Sequence, residues 1–274
     1  MKNILVPVDF SETSAYALEI AAQIAKRFNA KLIVLHMMGV SDAVLTKDES
    51  QEEQEAQYYI RLAKERFDSF LNWPYLKELK VQTIIQNQKD FYEINAVAKE
   101  QQIDLIVMGS HGTSGLHEFF VGSNTEKVVR TSEVPVLVVK EQDSNFSIDT
   151  MAFVSDFELE SIPVFKKAIE FATQFSAKFL PAYINLSGFD LKTEKEIENQ
   201  VALFMNNANT LFDVKIYYAS SLEEGIMNYR KKINADIIAI GTHGTKGLAH
   251  FFKGSTAENI ANHANLPVLT FKIG

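Results

Sequence analysis

The stretch GSHGTSGLHEFFVGS, Gly109 to Ser123, returns as GTHGTKGLAHFFKGS, Gly241 to Ser255, with ten of the fifteen positions identical. The similarity reaches beyond these loops: ILVPVDFSE near the start resembles MAFVSDFEL from Met151, and DLIVMGSHG resembles DIIAIGTHG. A repeat spanning half of a 274-residue chain is the size of a domain, so the sequence predicts two copies of one fold, over 1–144 and 145–274. The polar stretch EQDSNFSID between them reads as a connector. Asp9 and Asp156 are offset by 147 residues and Gly109 and Gly241 by 132, so the second copy lacks 15 residues (147 − 132). The acidic segment SDAVLTKDESQEEQEAQ, after the second strand, is where we place that gap, as a solvated loop running into a helix.

Within each copy, short apolar runs alternate with helical patterns. NILVPV, KLIVLHM, VQTII, DLIVMG and PVLVVK read as strands, with helices over Thr13–Phe28, Glu52–Leu71, Phe91–Glu100 and Ser123–Thr131. The second copy repeats the order with TMAFVS, KFLPAYI, VKIYY, DIIAIG and PVLTFK, and with helices over Pro163–Phe175, Lys192–Leu211, Leu222–Ile233 and Ser255–His263. Runs such as LIVM and VLVV are apolar at every position, the pattern of parallel strands covered on both faces. The fold class is therefore α/β, with two Rossmann-like parallel-sheet domains in tandem.

Eight of the twelve glycines lie in the two repeated loops. Each loop follows a predicted strand and enters a predicted helix, where unpaired N–H groups and the helix dipole attract an anion such as phosphate. The alternative is structural: SNTE (Ser123–Glu126) and STAE (Ser255–Glu258) are capping boxes that satisfy a helix terminus unaided. A cap does not account for Gly109 and Gly112 upstream. Asp9 ends the first strand, beside which an open parallel sheet of this order binds its ligands. Its carboxylate could accept from a ribose hydroxyl or a base amino group, or simply cap the next helix.

Composition excludes several classes. A net charge of −8 argues against a nucleic-acid surface, which needs clustered Lys and Arg. Without cysteine there is no disulfide, thiol nucleophile or cysteine-ligated metal. No apolar run reaches the roughly 18 residues of a membrane span, and MKNILVPVDF meets Asp9 too early for a signal-peptide core, so a cytoplasmic location is expected. No GK or GG pair occurs, which removes a Walker A loop and a pyrophosphatase-type adenylating loop. His111 with His117, and His243 with His250, lack the spacing of a metal pair, and no metal or catalytic group is assigned. The Phe119–Phe120 and Phe251–Phe252 pairs read as core or interface anchors, and His36 as a core imidazole.

The pattern Gly, two residues, Gly, nine residues, Gly-Ser occurs at Gly109, Gly112, Gly122 and Ser123 and again at Gly241, Gly244, Gly254 and Ser255. It resembles the ATP-binding signature of universal stress proteins, as do the opening strands that end in aspartate and the closing Pro-Val strands. The resemblance covers nearly the whole chain. It implies five-stranded parallel sheets of the adenine nucleotide alpha hydrolase-like type. It also implies binding of ATP, AMP or ADP, with or without Mg2+, and a stress-response role as regulator or sensor. A slow ATPase and a nucleotide-free interaction scaffold are the alternatives, and any protein partner is unknown. Carried over by residue, the resemblance puts Pro7 and Asp9 near the adenosine, Met37 as a main-chain contact to adenine, and Met108, Gly109, His111 and Gly112 beside the ribose and phosphates. Gly122, Ser123, Asn124 and Thr125 would hold the phosphates. In the second copy Asp156, Gly241, His243, Gly244, Gly254, Ser255 and Thr256 match. Ala257 replaces Thr125 and Val154 replaces Pro7, which makes the first site the tighter one. The apolar closing strands would leave raw edges, so we expect them to pair as an intrachain pseudo-dimer, with a homodimer beyond it left open.

Overall fold

The computed structural model describes residues 1–38, 49–86, 92–110, 123–188, 191–243 and 266–273. Along the first repeat run β1 (Asn3–Val8), α1 (Glu12–Phe28), β2 (Lys31–Met37), α2 (Glu49–Phe70), β3 (Val81–Gln86), α3 (Tyr92–Glu100), β4 (Leu105–Gly109), α4 (Ser123–Thr131) and β5 (Val136–Val139). The second gives β6 (Thr150–Val154), α5 (Ile162–Gln174), β7 (Lys178–Leu186), α6 (Glu194–Ala208), β8 (Lys215–Ala219), α7 (Leu222–Ile233), β9 (Ile237–His243) and β10 (Val268–Ile273). The expected helix over Ser255–His263 lies outside the described residues. Among the described residues no helix is long and apolar enough to cross a membrane.

Helix ends follow local chemistry. Ser11 caps α1 by accepting from the Ser14 N–H, and Thr193 with Glu196 forms a capping box that starts α6 two residues after the expected Lys192. Asn29, Asn209 and Asn234, all left-handed with φ near 50°, stop α1, α6 and α7. Asparagine tolerates that conformation, which is why α6 ends at Ala208 rather than running on to Leu211.

The chain divides into two compact units. The first comprises Met1–Leu116, Gly122–Val128 and Val139–Phe146, and its strands lie in the order β3-β2-β1-β4, all parallel. Strand order reverses at β1: the chain moves outward through β2 and β3, then returns to place β4 on the other side of β1. Ile4, Leu5 and Val6 on β1 and Leu105, Ile106 and Val107 on β4 are fully buried, each contributing about 1.5–3 kcal/mol of transfer free energy. Both parities of β4 are buried, so both of its faces are covered.

The second unit comprises His117–Val121, Val129–Val138 and Ser147–Gly274, with strand order β5-β10-β9-β6-β7-β8. It too reverses at its opening strand, β6. On one face Ala152 and Val154 join Leu222, Ile226 and Tyr229 of α7. On the other, Phe153 meets Phe165 and Phe179, and Phe165 meets Phe204. Pro181 interrupts no ladder, because β7 pairs with β8 only from Ala182 onward. The two closing strands do pair: β5 lies antiparallel to β10, with Val138 opposite Val268 and Val136 opposite Thr270.

Candidate nucleotide site at the strand reversals

The C-terminal ends of β1 and β4 bring Pro7, Asp9, Met108 and Gly109 to one reversal point, and those of β6 and β9 bring Asp156 and Gly241 to the other. Met37 ends β2 next door. Ser123 and the exposed Asn124 open α4, with buried Thr125 behind them. His243 ends β9. The remaining expected contacts, His111, Gly112, Gly122, Gly244, Gly254, Ser255 and Thr256, lie outside the described residues, as do His117, His250 and both Phe-Phe pairs.

Each reversal begins with the same unusual turn. Asp9 Oδ1 accepts from the Ser11 N–H at 3.0 Å and the Ser11 hydroxyl at 2.5 Å, while Asp156 Oδ1 accepts from the Glu158 N–H at 3.1 Å. Between carboxylate and donor stands a phenylalanine in left-handed backbone, Phe10 at φ 64° and Phe157 at φ 57°. A bulky residue there costs about 1–3 kcal/mol, which burial of the ring offsets. Phe10 packs on His36 at 4.3 Å and on Phe67 and Phe70, and Phe157 packs on Phe165 and Phe204. Sequence reasoning named the aspartates but missed these phenylalanines, because nothing in a Phe marks positive φ. Their recurrence in DFS and DFE was the available signal.

The first repeat ties its glycine strand to the following helix. The Thr125 hydroxyl, buried, donates to the Gly109 carbonyl at 2.9 Å. A hydroxyl has one proton, so in this arrangement Thr125 meets an anion only through its backbone. A Cβ on Gly109 would lie 2.8 Å from the Thr13 carbonyl carbon, so the glycine here permits close approach to the first turn of α1. At Gly241 a Cβ would instead meet the Ile273 side chain at 2.9 Å and that of Val164 at 3.5 Å.

Surroundings differ as well. Asp9 and Phe10 edge an open cleft of about 670 Å³ whose far wall is α2, with Leu62, Arg66 and Phe70, and Trp73 beyond it. The Arg66 guanidinium lies 5.9 Å from the Phe10 ring centre. In the second unit, Asp156, Ser161, Val164, Ile240, Gly241 and Ile273 line a cavity of about 30 Å³, room for a water or two. Gln200 of α6 donates to the Asp156 carbonyl at 2.7 Å and to Glu158 at 2.8 Å, a polar latch where the first unit has its cleft. His36 Nδ1 lies 2.9 Å from the Val8 carbonyl, and burial holds the imidazole pKa below its usual value, against that hydrogen bond.

Two matches of the universal stress protein family model cover residues 1–140 and 149–272. The chain belongs to the universal stress protein family. It is 34% identical to universal stress protein MJ0577 of Methanocaldococcus jannaschii over 52% of this chain and 97% of that one. Universal stress protein Slr1230 of Synechocystis is 21% identical over 99% of this chain and all of its own length, so the tandem arrangement is shared across a whole relative. Among solved structures, a universal stress protein from Archaeoglobus fulgidus superposes with a TM-score of 0.66 at 20% identity, covering 99% of this chain and 96% of that chain.

Proposed function

We propose that this universal stress protein binds an adenine nucleotide, ATP in the first place, at the β1/β4 reversal, and acts as a nucleotide-responsive regulator of a stress response. The observation that carries the reading is the meeting of Asp9 and Gly109 at a strand reversal with α4 entering behind them. Strand reversals are where open α/β sheets take ligands, and a helix entry suits phosphate. In this reading the Asp9 turn faces the ribose or base, the main chain at Met37 meets adenine, and the loop from Gly109 to Thr125 wraps the phosphates, with Mg2+ as companion. No general base or metal cluster is invoked, so retention of the nucleotide rather than fast turnover is the expected behaviour. A cytoplasmic setting fits a nucleotide sensor.

The test is to denature freshly purified protein and identify the released nucleotide by chromatography against protein concentration. ATP at a fixed molar ratio supports the reading. AMP or ADP moves it toward slow hydrolysis. No nucleotide, and no binding of added ATP with magnesium, overturns it and leaves an interaction scaffold.

A further inference from the structure

Asp9 is held through the residues on either side of it, and one side chain reaches both. The Lys2 carbonyl accepts from the Lys31 N–H at 2.7 Å, and in a parallel ladder carbonyls two residues apart face the same neighbour, so the Val8 carbonyl also faces β2. There the His36 ring meets it, with Nδ1 2.9 Å from the carbonyl oxygen. A carbonyl only accepts, so Nδ1 carries the proton and donates it to this bond. The same ring stands against Phe10, centroids 4.3 Å apart, while Phe67 and Phe70 of α2 close on Phe10 edge-on at 5.2 and 5.4 Å. Phe10 needs this packing, because at φ 64° its backbone occupies a conformation costly to a bulky side chain. Asp9 Oδ1 accepts from the Ser11 N–H across residue 10, so a change of φ at Phe10 would carry that N–H away from the carboxylate.

We infer that His36 is a positioning residue of the nucleotide site: it fixes the Val8 carbonyl and the Phe10 ring, and through them presets the Asp9 carboxylate for the nucleoside end of the ligand. The inference rests on the nucleotide reading above, in which the Asp9 turn faces the ribose or base. A carboxylate ordered before the ligand arrives loses less free energy to ordering when it binds. The imidazole that the sequence marks only as a core residue thereby acts on the site without touching the ligand. At the matching position of the second unit Tyr183 bonds Lys192, and Phe157 rests on α5 and α6 through Phe165 and Phe204, so the inference concerns the first repeat alone.

The experiment measures the affinity of the intact chain for ATP with magnesium by calorimetry, in wild type, His36→Phe, His36→Asn, Asp9→Asn and the double variants that join Asp9→Asn to each His36 change. Hydrogen exchange on peptides covering 8–14 reads the turn itself. His36→Phe keeps a ring against Phe10 and removes the donor to Val8, while His36→Asn keeps a donor near the place of Nδ1 and removes the ring. Each is expected to weaken ATP binding about tenfold and to speed exchange at the Asp9 turn. In the Asp9→Asn background the same changes are expected to cost less than about twofold, because a residue acting through the carboxylate has nothing left to position. A merely structural histidine would cost the same in both backgrounds, and that result overturns the inference. So would wild-type affinity in both His36 variants or in Asp9→Asn, or unchanged exchange at the turn. Should one His36 variant fail to fold, the other completes the cycle. Failure of the wild-type chain to bind ATP sinks the nucleotide reading itself, and this inference with it. Wild-type binding that is indifferent to His36 leaves that reading standing and overturns this inference alone.

Discussion

The two strand reversals share one sequence pattern but are packed differently around their glycines. Both have the Asp-Phe turn, a glycine in the last residues of the strand beside it, Gly109 in β4 and Gly241 in β9, and the reversal itself. They differ in what leans on the glycine: backbone of α1 at Gly109, tips of flexible side chains at Gly241. The lesson is that one motif residue can be required for two unrelated physical reasons, and that substitution separates them.

Alanine at position 109 is expected to produce the largest effect. Its Cβ would press on the Thr13 carbonyl carbon and oxygen at 2.8 and 2.9 Å, neither of which can move without shifting α1, so a destabilisation of about 1–3 kcal/mol is expected. Gly241→Ala asks only that Ile273 change rotamer, and the cost should stay under about 1 kcal/mol. Urea midpoints of the two variants decide it; equal losses would show that the two glycines are held alike.

Thr125→Val comes next. It keeps the volume but removes the donor to the Gly109 carbonyl in a buried setting, a loss of about 1–2 kcal/mol. Ala257 stands at the matching position of the second repeat, so no such link can form there. If Thr125→Val left stability untouched yet weakened ATP binding, the hydroxyl would be acting on the ligand and not on the Gly109 carbonyl.

How far the sequence carries this comparison depends on the kind of signal. Strands such as LIVMG and VLVV were legible because burial on both faces leaves no polar position. The pairing of β5 with β10 was legible from edge chemistry. The pairing of the opening strands was half visible: the exchange of Pro7 for Val154 stood in the sequence, but that β1 pairs with β4 at Ile4 and Leu5 while β6 pairs with β9 from Met151 to Val154 depends on register. The Phe10 and Phe157 turns were hidden because left-handed phenylalanine contradicts local propensity and is held by tertiary packing. Ile273 over Gly241 joins residues 32 apart through a strand pairing no local pattern encodes.

Helix entry gives a smaller contrast. Ser11 accepts from the Ser14 N–H and bonds Asp9, so Ser11→Ala should cost about 1 kcal/mol. Ser161, before α5, makes no cap hydrogen bond to the helix, and Pro163 in the first turn presets the backbone. The buried Ser161 hydroxyl donates only a long bond of 3.4 Å to Asp156 Oδ1, so Ser161→Ala should cost less than Ser11→Ala by the same measurement.

The smallest effect separates the two units by pH. His36 and Tyr183 occupy equivalent positions, one at the end of β2 and the other within β7. Burial lowers the His36 pKa from 6.5, with Arg66 pushing the same way and the Val8 carbonyl and Asp9 opposing. Burial raises the Tyr183 pKa from 10.0, so that ring stays neutral through the acid range. A histidine with a depressed folded pKa binds its proton more readily when unfolded. Its contribution to stability is therefore complete above about pH 6.5 and is lost as the pH falls below that value toward the folded pKa. The packing of β1, β2 and α2 around His36 should soften between neutral and mildly acidic pH while that around Tyr183 does not, and His36→Tyr should flatten that response. Hydrogen exchange resolved by unit at pH 7 and at pH 5, corrected for the intrinsic rate, reads both at once. Equal softening around His36 and Tyr183, or an acid response that survives His36→Tyr, would assign the pH dependence to the carboxylates and other histidines of both repeats and remove His36 from the comparison.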